Sequence, residues 1–198
     1  GDTRITSRYA EDRFADALGS TLHEAGHGLY EQGLQKSLHH GQPRAQAAGL
    51  GLHESQSRLW ENQVGRSLAF WRWAAPEAKR ILGPELAAFS AEQIFAAVNR
   101  VAPTLIRVDS DEATYNLHIM LRFDVERALL RGDLSVSDVP GLWNEQMKQD
   151  LGLTVTEDRV GCLQDIHWAA GAIGYFPTFA LGTLYAAQLW EGLVRDLP

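Results

Sequence analysis

Near the amino end, apolar positions return at steps of three and four, at Phe14, Ala17, Leu18, Leu22, Ala25, Leu29 and Leu34, and no proline interrupts the stretch between Glu11 and Gln42. That period lays one apolar stripe along a cylinder and predicts an amphipathic helix. From Lys36 to Gly51 the pattern lapses, and Gly41, Pro43, Gly49 and Gly51 supply the turn chemistry that closes one helix and opens another. A second helix is predicted from about His53 to Trp73, with Leu59, Val64, Leu68 and Trp71 among its apolar positions. Helical periods follow at Ala91 to Val101, Asp111 to Arg131, Pro140 to Leu151, Asp158 to Ala169 and Pro177 to Val194. The segment ending at Arg131 opens with Asp109-x-x-Glu112, an N-cap with an acid three residues on, and stops at Gly132. Only Thr3 to Tyr9 and Leu105 to Val108 read as strands, so the expected fold class is mainly α with at most a small edge β element.

Composition narrows the partners. A formal charge of -7 over 198 residues gives no reason to expect nucleic acid or an anionic membrane surface. No apolar run approaches the roughly 20 residues needed to span a bilayer. One cysteine, Cys162, excludes an internal disulfide and, with no signal-peptide pattern, favours the cytoplasm. The chain begins abruptly, Gly1 followed at once by the patterned DTRIT, which suggests a tag remnant or a truncated chain. There is no internal repeat or long linker, so residues 1–198 are expected to form a single catalytic region.

The chemistry concentrates in the first predicted helix, where His23-Glu24-x-x-His27 stands within LHEAGHGLYEQGL. A spacing of four on a helix brings two side chains to one face, about 40° apart around the axis and roughly 6 Å along it, which suits two ligands of one ion. Glu24 can then reach water activated by that ion and take its proton, the role this spacing serves in metallopeptidases. A catalytic zinc usually takes three protein ligands. The pattern H-E-x-x-H-x-x-G-x-x-H fails, because Tyr30 stands where its glycine belongs and Gly33 where its histidine belongs. A glutamate on the following helix is the other route, and Glu54 is best placed for it. Glu31 is a weaker rival, too far along the same helix from His23. Glu61 reads as a supporting acid or a surface charge, and His53 as a group that orients a ligand.

Five blocks also carry a resemblance. DTRIT (Asp2 to Thr6), HEAGH (His23 to His27), HESQSRLWEN (His53 to Asn62), IRVDSDEATYNLH (Ile106 to His118) and DIHWAAGAIGYFPTFALG (Asp165 to Gly182) resemble, in order, the signature blocks of the M32 metallocarboxypeptidases, the Taq carboxypeptidase family. The resemblance implies a helical metallopeptidase cleft fold of the gluzincin type, with His23, His27 and Glu54 as ligands of one divalent ion, zinc first and cobalt second, and a homodimer. Members of that family are much longer, so the chain corresponds to their carboxy-terminal part, without the amino-terminal helical region and its HPF motif. The loop at Leu38 to Ala48 also looks longer than the family's.

The implied reaction is release of single amino acids from the free carboxy terminus of a peptide substrate. Arginine's planar fork matches a terminal carboxylate. Arg107 and Arg4 both fall in motifs that the resemblance assigns to the cleft. Arg107 is preferred because it precedes a capped helix, while a salt bridge to Asp2, Asp109 or Asp111 is the plain structural alternative for either. An oxyanion needs a donor. Tyr175 and His167 lie in the block where related helical peptidases put a tyrosine and a histidine for that purpose. His118, among Leu117, Ile119, Met120 and Leu121, reads as a packing histidine with satisfied nitrogens, and the six tryptophans as core or interface residues. The same ligand set also serves endopeptidases and dipeptidases, and a fragment that binds metal without turnover carries it too.

Overall fold

In a computed structural model the described residues are 2–7 and 9–197. Gly1, on which the tag-remnant reading rests, and Arg8, inside the expected first strand, lie outside them. Eight α-helices are described: α1 Phe14–Gly33, α2 Leu50–Arg58, α3 Leu68–Leu82, α4 Pro84–Ala87, α5 Ala91–Val98, α6 Glu112–Arg131, α7 Val139–Leu151 and α8 Pro177–Asp196. Among the described residues there is no strand. The chain divides into two compact units, one of Gly1–Asn99 with Leu181–Pro198 and one of Arg100–Ala180.

In the first unit α1 packs along α2, and α3 packs on α4 and α5. Trp71, Ala75 and Ile94 are buried there, with Phe14, Leu18, Phe70 and Phe95 against them. The long helix expected from His53 to Trp73 is broken. Leu59–Val64 forms a π-turn, in which the Gly65 amide donates to the Trp60 carbonyl over 2.9 Å, and Ser67 then caps α3 by accepting from the Phe70 amide. The turn leaves room only for glycine at position 65, where a Cβ would stand 2.7 Å from the Glu61 carbonyl oxygen and 2.6 Å from Leu22 Cδ1. Among the described residues of the expected Thr3–Tyr9 strand no strand forms either. With no partner strand to complete a ladder, Thr3 and Ile5 instead run past α1, where a Cβ on Gly28 would meet Thr3 Cγ2 at 3.2 Å. Trp73, expected to pack, is 77 % exposed.

In the second unit α6 and α7 enclose Leu121, Val125, Trp143, Met147 and Leu151, and Tyr115, Ile119 and Phe176 form a second buried group. The cap of α6 is Asp111 and not Asp109. Its Oδ1 accepts from the Thr114 amide while Oδ2 accepts from the Ala102 amide, so the residue whose carboxylate is fully used starts the helix. Gly132, left-handed at φ 77°, ends it as expected. Two expectations fail around Gln164. Its side chain accepts from the Arg107 amide and donates to the carbonyls of Leu105, Val160 and Gly161. Residues 105–108 therefore fold into a turn with a short 3-10 segment at Arg107–Asp109. The helix expected at Asp158 to Ala169 stops after a 3-10 turn at Asp158–Val160, because Gly161 leaves helical geometry and Gln164 takes the carbonyls a helix would use.

Candidate metal centre

Helix α1 carries His23 and His27 on one face, and α2 brings Glu54 to them. The approach depends on absent side chains. A Cβ on Gly26 would lie 2.4 Å from the Gln56 carbonyl oxygen and 2.7 Å from Ser57 Cα, so the two helices touch backbone to backbone between the two histidines. On the other side of Glu54, a Cβ on Gly182 of α8 would lie 2.6 Å from Glu54 Cγ. Glu54 is thus pressed between α1 and α8 and is buried.

Within this clamp the ligand atoms converge. Glu54 Oε2 stands 3.4 Å from His27 Nε2 and 3.9 Å from His23 Nε2, and one ligand atom from each residue lies within 4.8 Å of the others. Ligands about 2.0–2.1 Å from a tetrahedral zinc are themselves roughly 3.4 Å apart, so the set fits a divalent ion after small adjustment. The chemistry of the donors agrees. Both Nδ1 atoms are already engaged, His23 with Glu61 Oε2 at 2.8 Å and His27 with His53 Nδ1 at 2.6 Å, which leaves both Nε2 atoms facing Glu54. Glu54 Oε1 is buried and makes no hydrogen bond among the described residues, although Arg58 Nε lies 3.4 Å away.

Charge is managed by Arg58, whose Nη1 donates to Glu61 over 3.1 Å. Burial alone would raise the Glu61 carboxyl, but the His23 hydrogen bond and the charge of Arg58 hold it below the usual range. For His23 burial acts downward, yet the hydrogen bond and charge of Glu61, with the charge of Glu54, raise it above the ordinary value. Glu24 is half-buried on α1, and its carboxylate has no hydrogen-bond or ion-pair partner among the described residues.

Arg4 is exposed and pairs with Asp2 over 2.7 Å, the structural alternative considered for it. Arg107, Tyr115, His118, Arg122, Asp165, His167 and Tyr175 all belong to the second unit. Arg107 is buried and donates through Nε and Nη2 to Asp165 Oδ1 and through Nη1 to the Tyr115 hydroxyl. Its partner is Asp165, none of the acids considered from the sequence. Arg122 takes Asp165 Oδ2 with Nε and Nη2, so one carboxylate serves two guanidinium groups. Burial would raise Asp165, but Arg107 and Arg122 hold it below the usual carboxylate range. His167 Nδ1 lies 3.8 Å from Asp165 Oδ1, beyond hydrogen-bond reach, and its ring packs at a tilt against Tyr175 and Phe176 with centroids 5.0 and 4.7 Å away. Burial and the charge of Arg107 lower its pKa.

His118 is a correction. It is fully buried, and neither ring nitrogen makes a hydrogen bond of full geometry among the described residues; the Thr104 backbone is the polar group that supports the ring, while Arg122 spends its Nη1 on the His118 carbonyl. Burial and the charges of Arg122 and Arg107 push its pKa down to about 4. Sequence reasoning missed Arg58, Asp165, Gly26 and Gly182. Arg58 alone left a signal, since Glu54, Arg58 and Glu61 recur at helical steps along one face.

Two histidines a helical turn apart and a glutamate from the next helix define a site able to hold one divalent ion in a mainly helical protein. The chain belongs to the carboxypeptidase Taq (M32) metallopeptidase family, whose profile matches residues 1–198. It is 53% identical over 197 residues to thermostable carboxypeptidase 1 of Thermus thermophilus, covering all of this chain and 38% of that protein. Carboxypeptidase 1 of Bacillus subtilis is 43% identical over 201 residues, covering all of this chain and 39% of that protein. Among solved structures, the M32 carboxypeptidase of Deinococcus radiodurans superimposes with a TM-score of 0.93 at 45% identity, over 98% of this chain and 39% of that one. Trypanosoma cruzi metallocarboxypeptidase 1 gives 0.91 at 44% identity, over 98% and 40%. The chain therefore spans about two fifths of the length of the curated relatives it matches.

Proposed function

We propose that the chain is the catalytic part of a metal-dependent carboxypeptidase that releases single amino acids from the free carboxy terminus of peptides. In this reading residues 1–198 act as one catalytic region and correspond to the carboxy-terminal part of a longer family fold. The observation that carries it is the convergence of His23 Nε2, His27 Nε2 and Glu54 Oε2 with both Nδ1 atoms already engaged. These three residues hold one divalent ion, zinc before cobalt. When bound, it supplies Lewis acidity toward a peptide carbonyl and toward water.

The protein's own groups do the rest. Glu24, unpartnered beside the two histidines, accepts the proton of the attacking water and passes it to the leaving amine. Tyr175 and His167 are the donors for the oxyanion. For the terminal carboxylate the candidates are Arg107, then Arg4. Asp165 and Tyr115 engage three of the five N–H groups of Arg107, which leaves one on each terminal nitrogen and a rigid fork for a carboxylate. Arg4 keeps its guanidinium in water beside Asp2. Assembly as a homodimer and residence in the cytoplasm belong to the same reading. Among the described residues no helix is long and apolar enough to cross a membrane.

The test compares a peptide carrying a free carboxy terminus with its amidated form, on zinc-loaded protein. Carboxypeptidase action cleaves the first, one residue at a time, and spares the second. Equal internal cleavage of both would assign the chain to endopeptidases, cleavage of a dipeptide alone would assign it to dipeptidases, and zinc binding with no cleavage of any of them would mark a non-catalytic fragment.

A further inference from the structure

The two histidines of the candidate metal centre are supported differently. His23 meets a carboxylate directly, its Nδ1 on Glu61 Oε2. His27 meets a third imidazole, Nδ1 to Nδ1 over 2.6 Å, and the far nitrogen of that ring, His53 Nε2, lies 3.0 Å from Glu31 Oε1. Between the two facing Nδ1 atoms there is room for one proton, and which ring owns it decides whether His27 can bind an ion. If His53 owned it, His27 would carry its hydrogen on Nε2 and offer no lone pair to a metal. If His27 owns it, Nε2 is free.

Glu31 weighs on the choice through a hydrogen bond of 3.0 Å, against Glu54, whose Oε2 stands farther off, 3.4 Å from His27 Nε2, and draws the proton the other way. A carboxylate only accepts, so His53 donates from Nε2. A neutral His53 then has its lone pair on Nδ1, and that atom accepts from His27 Nδ1–H. The His27 lone pair is left on Nε2, the atom 3.4 Å from Glu54 Oε2. Glu31 is held in turn by Lys36. The His53 ring is fixed by Tyr30, edge-on at 4.9 Å, whose hydroxyl accepts from the Ala48 amide and so ties the preceding loop to α1. His53 adjoins Glu54 in the chain, so one turn of α2 delivers both a ligand and the group that prepares another.

We propose that Glu31 and His53 form a relay that fixes His27 as the Nδ1–H tautomer, performing through two groups what Glu61 does for His23 in one. His53 and Glu31 are positioning residues in this scheme, and neither touches the ion. The proposal rests on the reading of His23, His27 and Glu54 as a metal site, and its test separates the two.

The measurements are zinc affinity by competition with a chromophoric chelator, and histidine tautomers by 15N NMR on the metal-free chain at neutral pH. In the parent protein His27 should show a protonated Nδ1 and an unprotonated Nε2. His53→Leu, which removes the acceptor, should mix or reverse that tautomer and weaken zinc binding about ten- to a hundredfold. His53→Gln, whose amide can accept from His27 and donate to Glu31, should recover most of both. A general loss of folding in the leucine variant would appear as a lowered melting temperature that glutamine does not share, and the parent's tautomer remains decisive in that event. A parent His27 protonated on Nε2, or a leucine variant that binds zinc like the parent, overturns the relay. A parent that binds zinc no better than His27→Ala removes the metal reading, while the tautomer measurement still decides the relay.

Discussion

Gly26 gives the sharpest test of how the site is assembled, because the same substitution seven residues earlier on the same helix should act with the opposite sign. Gly19 and Gly26 both lie inside α1, and at Gly19 a Cβ meets nothing within 4 Å. Gly19→Ala should therefore stabilise the protein by about 0.5–1 kcal/mol, the ordinary gain from removing a helical glycine. At Gly26 the same methyl arrives 2.4 Å from the Gln56 carbonyl oxygen and 2.8 Å from its carbon, both backbone, and no side chain can swing away. Ordinary contact begins near 3.4 Å, so α1 and α2 must part by about 1 Å, an overpacking that costs typically 1–3 kcal/mol. At about 2–4 °C per kcal/mol for a chain of this size, the two variants should differ in melting temperature by several degrees.

The separation also acts on the ligands. Glu54 sits two residues before Gln56 on the helix that moves, so its distances of 3.4 and 3.9 Å to the histidine nitrogens both lengthen, away from the roughly 3.4 Å that a tetrahedral ion requires. Gly26→Ala should thus lose zinc affinity by more than tenfold, while Gly19→Ala keeps it. The assay is a thermal melt with and without zinc on both variants, followed by a chelator-competition titration. If Gly26→Ala melts as high as Gly19→Ala and binds zinc within about twofold of the parent, backbone contact does not control this site.

Glu24→Gln should leave zinc affinity nearly unchanged and abolish peptide turnover, checked by titration and by release of free amino acid from one preparation. Glu54→Ala should abolish tight zinc binding, whereas Glu61→Ala, which removes only the support of His23, should cost about ten- to a hundredfold by the same titration. Stability should fall as pH drops from the ordinary histidine value of 6.5 toward 4, because the unfolded chain protonates His118 there and the folded chain, which buries it beside Arg122 and Arg107 against the weaker pull of the Thr104 backbone and Asp165, does not. The loss approaches about 3 kcal/mol for this group, is complete below its folded pKa, and should shrink in His118→Gln in urea melts taken across that range. Asp165 works in a separate window. With its folded pKa depressed, its contribution is intact above the ordinary 3.8 and is lost only as pH falls through the lower folded value.

Helix periods were legible wherever packing repeats along one face. The bounds of α1, α6, α7 and α8 follow the apolar steps read from the chain; α6 and α7 bury large apolar residues along them, whereas α8 leaves Leu181, Leu184, Leu189 and Leu193 exposed. Reading failed where a side chain outbids the backbone. Gln164 takes three carbonyls and an amide from segments far from it in sequence, and no local period announces that. The π-turn at Leu59–Val64 was hidden for a related reason. Its apolar positions continue a helical step, and only Ser67, able to cap a new helix, hinted at a break. The partner of Arg107 was unreadable too, since Asp165 lies 58 residues away, whereas the acids weighed for it were close by.

The ligands and their supports differ in how they are written. His23, Glu24 and His27 are a local pattern, set by the pitch of one helix, and Glu54 follows from a ligand count. What turns that pattern into a site is tertiary. Gly26 and Gly182 remove volume so that α1, α2 and α8 close on Glu54, and Glu61, Arg58, His53 and Glu31 then use the closeness to hold two imidazole rings with Nε2 turned inward. These groups act on each other in that order. Without the glycines the rings stand too far from Glu54, and without the carboxylates and His53 the rings are close but free to turn. A chain bearing HExxH and a glutamate on its next helix, with a bulky residue at position 26, would carry the motif without the site.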